Sequence, residues 1–337
     1  MIIMKNIKKL PFILSIISLF TIFSPAYADI KVVASIKPIH SLASYLMDGV
    51  GKPDLIVDGY ASPHGFAMKP SHAKMLQNAD LIFWIGEDLE NFLERPLKSI
   101  AKKAEKIELM ETKGLKKLKF RERNIFEEHG HDEHKEHGHK EDKHDDHKHD
   151  EHKEHGHKED KHDDHHEHAH GEHDPHIWLD PINAKAILSE MAEHLIEKDP
   201  NNASAYKANL KKAHKALDNL TKKVKSELKG DFKSIVFHDA YQYFEKRFNI
   251  NVLGAFTVNT DVLPGAEQLA KIREIIEHEK VTCVFSEPQF NPDIIKAVAK
   301  DMKINTGVID PLGATLDPGK DLYFDLIRNM YASFKSC

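Results

Sequence analysis

Short apolar, β-branched runs alternate with amphipathic stretches along this chain, and the alternation occurs twice, once before and once after a long charged tract. In the first half strands are predicted at Ile30–Ala34, Asp54–Val57, Leu81–Ile85 and Lys106–Leu109, with helices around Ile39–Met47, Ser71–Asn78 and Glu90–Ala101. In the second half strands are predicted near Ser234–Phe237, Asn251–Ala255, Thr282–Phe285 and Thr306–Ile309, with helices near Ala240–Arg247, Ala266–His278, Pro292–Lys300 and Leu322–Phe334. Strand and helix in turn argue for parallel sheets covered on both faces. A chain of 337 residues also exceeds the usual size of one hydrophobic core. The expected fold is α/β, with two lobes that each carry a parallel sheet flanked by helices.

The segments outside these repeats have distinct roles. Residues 1–28 read as a secretory signal: a basic start, an apolar run from Leu10 to Pro25 too short to span a bilayer, and Ala26-Tyr27-Ala28 before the cleavage point. No later run approaches the ~20 apolar residues a membrane span needs, so an exported, soluble protein is expected. The N-terminal lobe is placed at 29–200 and the C-terminal lobe at 231–337. Between them 201–230 forms a linker: Asn202 to Leu228 keeps helical spacing without Gly or Pro, which predicts a stiff rod of about 40 Å. A net charge of -6 offers no basic surface for nucleic acid.

The charged tract, 128–174, holds 17 of the 25 histidines and an internal duplication, with Asp132 to His147 repeated letter for letter from Asp150 to His165. Having almost nothing apolar to bury, it cannot offset an ordering entropy of about 1–2 kcal/mol per residue and is expected to be a disordered loop. Neutral imidazole is the commonest side-chain ligand for zinc, copper and nickel, so the tract reads as a set of weak metal sites.

Eight histidines lie outside it, and three sit in loops rather than on predicted helices. His64 follows the second strand in Ser62-Pro63-His64-Gly65. His176 lies in Asp174-Pro175-His176-Ile177-Trp178. His238 directly follows Ser234–Phe237. Ligands in parallel α/β sheets bind beyond the carboxyl ends of strands, where His64 and His238 fall, together with Glu287 and Asp310. Asp310 is the stronger carboxylate, coming straight off its strand and braced by Pro311. His40, His72, His194, His214 and His278 are predicted on helices, as surface or core-edge residues.

The motifs SPHGFAMKPS, DPHIWLDP, FHDAYQYFEK, FTVNTDVLPG, CVFSEPQF and Asp310-Pro311-Leu312-Gly313 together resemble the periplasmic zinc-binding proteins of the ZnuA type, the substrate-binding components of ABC zinc importers. The resemblance covers essentially the whole mature chain. It implies two α/β lobes joined by a long rigid helix, with one Zn²⁺ held in the cleft as the transported ligand. It further implies a monomer of the periplasm and no enzyme, with the inner-membrane permease and its ATPase subunit as partners. Position by position, the family's ligands fall on His64, His176 and His238. Where some relatives carry a Glu before the first histidine, this chain has Pro63, which leaves Asp310, a water or a tract histidine as the fourth donor. His72 stands where relatives commonly carry Asp.

Three imidazoles and one oxygen suit tetrahedral Zn²⁺, whereas manganese prefers more carboxylates. Two alternatives use the same residues. A secreted zinc-dependent hydrolase would need Asp239 or Glu287 as general base, although the chain lacks an H-E-x-x-H signature. A zinc storage or adhesion protein would need no transporter. Cys283 and Cys337 either pair in an oxidising compartment or remain free thiols.

Overall fold

The computed structural model of the protein describes residues 30–121, 171–230, 232–258, 260 and 264–337. The expected signal segment, nearly all of the histidine tract and part of the 256–265 motif lie outside these residues.

The first sheet contains β1 (Val32–Ile36), β2 (Asp54–Val57), β3 (Leu81–Trp84) and β4 (Glu105–Glu108), all parallel, in the order β2-β1-β3-β4. The second repeats this order with β5 (Lys233–His238), β6 (Asn251–Thr257), β7 (Cys283–Ser286) and β8 (Asn305–Val308), arranged β6-β5-β7-β8. Every residue of β1 and β3 is buried, as expected of central parallel strands packed on both faces. The edge strands β4 and β8 are polar and largely exposed, which keeps an unpaired ladder from recruiting another chain.

Nine helices connect and cover the sheets among the described residues: α1 (Lys37–Leu46), α2 (Pro70–Asn78), α3 (Asn91–Ser99), α4 (Pro181–Lys198), α5 (Ala203–Glu227), α6 (Gln242–Phe248), α7 (Ala266–His278), α8 (Asp293–Met302) and α9 (Leu322–Ser336). Local chemistry fixes several starts. Pro38, Pro70 and Pro181 stand in the first turns of α1, α2 and α4, where a missing N–H costs no helical hydrogen bond. Asp180 caps α4, its Oδ1 accepting from Ile182 N at 2.8 Å. Asn249 ends α6 and Lys303 ends α8 in the left-handed conformation.

Side chains of β5 and β7 sort by the two-residue period of a strand, and a register shift against β6 lets Leu253 and Ala255 turn to opposite faces. Ile235, Phe237, Leu253 and Val284 face a cluster completed by Ile272 of α7 and Ile295 of α8. Val236, Ala255, Cys283 and Phe285 face the opposite way, into one continuous core shared with the first lobe. The predicted linker helix is present as the 25 residues of α5, roughly 37 Å long at 1.5 Å per residue. It is no free-standing rod, since it packs along α4 and α1. The last helix also crosses back: α9 rests on α1 and α5 as well as on β8. Cys283 and Cys337 form a disulfide with Cα atoms 5.6 Å apart, fastening the end of α9 to β7.

Candidate metal centre

The carboxyl ends of both sheets face one small space. His64 lies in the loop after β2, His238 is the last residue of β5, and His176 precedes a short 3₁₀ turn, Ile177–Leu179, that leads through the Asp180 cap into α4. The three rings form a triangle with centroids 5.6 Å apart for His64 and His176, 5.3 Å for His64 and His238, and 5.0 Å for His176 and His238. One ring nitrogen of each lies within 4.8 Å of the others. His176 and His238 are buried and His64 is half-buried. Pro63, Trp178, Phe290 and Leu312 help wall the space, whose volume of about 10 Å³ is that of one water-sized body.

Two of the imidazoles are held from behind by buried carboxylates. Asp174 Oδ1 accepts from the backbone N–H of His176 at 2.9 Å and lies 2.7 Å from His176 Nδ1. Glu287 places Oε1 3.2 Å and Oε2 3.3 Å from His238 Nδ1. With Nδ1 carrying the proton toward its carboxylate, Nε2 presents a lone pair to the other rings, the arrangement that orients imidazole for a metal. His238 Nε2 is buried and has no hydrogen-bond partner among the described residues. A buried ring nitrogen without a partner is costly unless something else binds it.

The electrostatics favour a cation. Burial, with His238 adding to it, drives the His176 pKa well below the ordinary histidine range, so its ring stays neutral and ready to donate. Burial also opposes charge on His238, but Glu287, Asp239 and Asp174 together outweigh it and raise that pKa. Burial pushes Asp174 up to about 7, against the stabilising His176 N–H. Beside His238, Asp239 is pushed up to about 6 by burial despite its pairing with Arg121 at 3.0 Å. Positive charge arriving among these groups relieves their desolvation and lets the carboxylates ionise.

The other sequence candidates fall elsewhere. Asp310, the expected fourth donor, lies outside the group of mutually close ligand atoms. Its Oδ1 accepts from Gln289 Nε2 at 3.0 Å and Leu312 N at 3.2 Å, and its Oδ2 from Thr315 N at 3.3 Å, so it organises the loop behind Pro311 and Leu312. Glu287 lines the space and backs His238 through Nδ1, outside the group of mutually close ligand atoms. His72 caps α2, its Nδ1 accepting from Lys69 N at 3.2 Å. His40 and His72 are buried rather than on the surface, whereas His194 pairs with Glu105 at 2.7 Å. Sequence reading missed Asp174, although its place two residues before a loop histidine is a local signal for a side chain that turns back on the following N–H groups.

Two α/β lobes with a metal-ready cleft at facing strand ends define a metal-binding protein of the substrate-binding type. The chain matches the family described as zinc-uptake complex component A, periplasmic, over residues 32–337, and it belongs to that family. It is 47% identical over 308 residues to the high-affinity zinc uptake system protein ZnuA of Brucella abortus, covering 91% of each chain. It is 37% identical over 316 residues to the protein of the same name from Yersinia pestis, covering 92% of each. A crystal structure of ZnuA superposes with a TM-score of 0.67 at 21% identity, covering 90% of this chain and 99% of the other, which shows the shared fold.

Proposed function

We propose that the protein binds Zn²⁺ with high affinity through His64, His176 and His238 and delivers it, from the periplasm, to the permease and ATPase of an ABC importer. The observation that carries this reading is the convergence of three ring nitrogens within 4.8 Å of one another, two of the rings backed by buried carboxylates. Imidazole ligands with a fourth oxygen match the tetrahedral preference of zinc. The fourth position is assigned to Asp310, whose loop supplies the Pro311 and Leu312 wall; its carboxylate would exchange the Gln289 hydrogen bond for the ion. The ion is cargo, and the protein acts as a monomeric carrier rather than an enzyme. Residues 29–200 and 231–337 serve as the lobes on either side of the cleft, with 201–230 between them.

Zinc uptake by cells lacking the chain tests the transport reading. Zinc-limited cells should recover uptake with the wild-type protein and fail to do so with His238→Ala. Equal uptake with and without the protein would leave a storage or adhesion role in its place.

A further inference from the structure

Lys37 breaks two local rules at once. It opens α1, where a cation meets the positive end of the helix dipole, and its side chain is buried, only 5% exposed. Its ammonium crosses to the second lobe's loop and donates to Leu316 O at 2.9 Å, Ala314 O at 3.0 Å and Gly313 O at 3.4 Å, with Asp58 Oδ1 at 3.3 Å. All three N–H donors of the ammonium are thus occupied, which offsets the desolvation of the charge.

The loop it grips carries Asp310 and the cavity wall. One peptide group joins the two charges: the carbonyl of Ala314 accepts from Lys37, while the N–H of the same peptide, on Thr315, donates to Asp310 Oδ2 at 3.3 Å. Hydrogen bonds in series polarise one another, so the ammonium strengthens the N–H hold on the carboxylate. The first lobe holds the same loop a second time, through Trp178 Nε1 and Pro311 O at 2.8 Å.

We propose that Lys37 is a positioning residue for the metal centre: reaching from the first lobe through the Ala314–Thr315 peptide, it fixes Asp310 and the Pro311–Leu312 wall against the three histidines and so sets how long a bound ion stays. This rests on the zinc reading given above. Neither metal nor substrate touches Lys37, and its effect passes entirely through the loop.

The test uses the full chain loaded with less than one equivalent of zinc and chased with a chelator, alongside the visible spectrum of the Co²⁺ form and thermal unfolding without metal. The slow release phase is assigned to the cleft by its loss in His238→Ala. Lys37→Met is expected to speed that phase on the order of tenfold or more, the equivalent of one charge-assisted hydrogen bond, and to alter the cobalt spectrum. Lys37→Arg should fall between it and wild type. Lys37→Gln, which keeps two N–H donors without the charge, provides the same comparison if Met at this buried position prevents folding. A lowered melting temperature with unchanged slow release and an unchanged cobalt spectrum overturns the proposal and leaves Lys37 as a lobe tether only. A slow phase that survives His238→Ala instead overturns the zinc site itself.

Discussion

Asp174 Oδ1 meets His176 twice, at the backbone N–H and at Nδ1, 2.9 and 2.7 Å away. Because both contacts converge on one oxygen, the carboxylate fixes the ring's tautomer and its angle together. Its other oxygen accepts from Gln242 Nε2 at 3.3 Å, which ties the arrangement to α6 of the second lobe. Asp174→Ala is expected to weaken zinc binding by roughly 10–100-fold, as removal of such a backing group typically does. Asp174→Asn keeps an acceptor oxygen and should lose less. Competition titration with a chromophoric chelator measures both, and equal losses would mean that charge rather than orientation is what Asp174 supplies.

Glu287 plays the corresponding part for His238. Glu287→Gln retains a side-chain oxygen but removes the largest of the charges that raise the His238 pKa against burial. The His238 pKa of the metal-free variant, followed by NMR, should therefore drop, because burial is then opposed only by Asp239 and Asp174. An unchanged pKa would show that Asp239 and Asp174 carry the effect.

Cys283 and Cys337 close a loop spanning a sequence separation of 54. In the chain-entropy model such a crosslink contributes roughly 4 kcal/mol. Reduction should lower stability by up to about that amount and free first the end of α9, whose packing on α1 and α5 links the lobes. Urea unfolding with and without reductant, with hydrogen exchange over 322–336, gives both numbers.

Glu90 is fully buried away from the cleft, its Oε2 accepting from Ile85 N at 2.8 Å and Gly86 N at 3.0 Å. Burial raises its pKa from 4.5 to about 7. A carboxyl whose folded pKa lies above its unfolded one contributes stability that is complete below the unfolded value and is lost as pH rises through the folded one. The wild-type protein should accordingly lose stability between about pH 4.5 and 7, with Glu90 accounting for on the order of 3 kcal/mol at most. Glu90→Gln keeps an acceptor for both N–H groups and should flatten this part of the curve. Urea midpoints at pH 5 and pH 8 are the measurement, and an identical pH dependence in the variant would remove Glu90 as its source.

Much of this architecture was legible in the residues. The eight strands among the described residues and the helices around them follow from apolar runs and helical spacing, with boundaries shifted by a residue or two, as between Ile30–Ala34 expected and Val32–Ile36 found. His64 and His238 were legible because ligands of parallel sheets gather beyond the carboxyl ends of strands, whereas His176 follows no strand and was legible only as a loop histidine in the motif DPHIWLDP. What spacing does not encode is which distant surfaces meet. The return of α9 onto α1, the packing of α5 on α1, and the reach of Lys37 to Leu316 depend on contacts between residues more than a hundred positions apart. Asp310 illustrates the same limit: its place after β8 was readable, but the N–H groups that hold its carboxylate belong to the turn the loop adopts.

The most direct test is a zinc titration of the full chain against a competing chelator, wild type beside a variant carrying His64→Ala, His176→Ala and His238→Ala together. The histidines of 128–174 remain in both proteins, so weak binding serves as an internal control. The expected result is the loss of one tight equivalent of zinc in the variant, with the weaker binding preserved. A variant that still holds one equivalent as tightly as wild type contradicts the three-imidazole site.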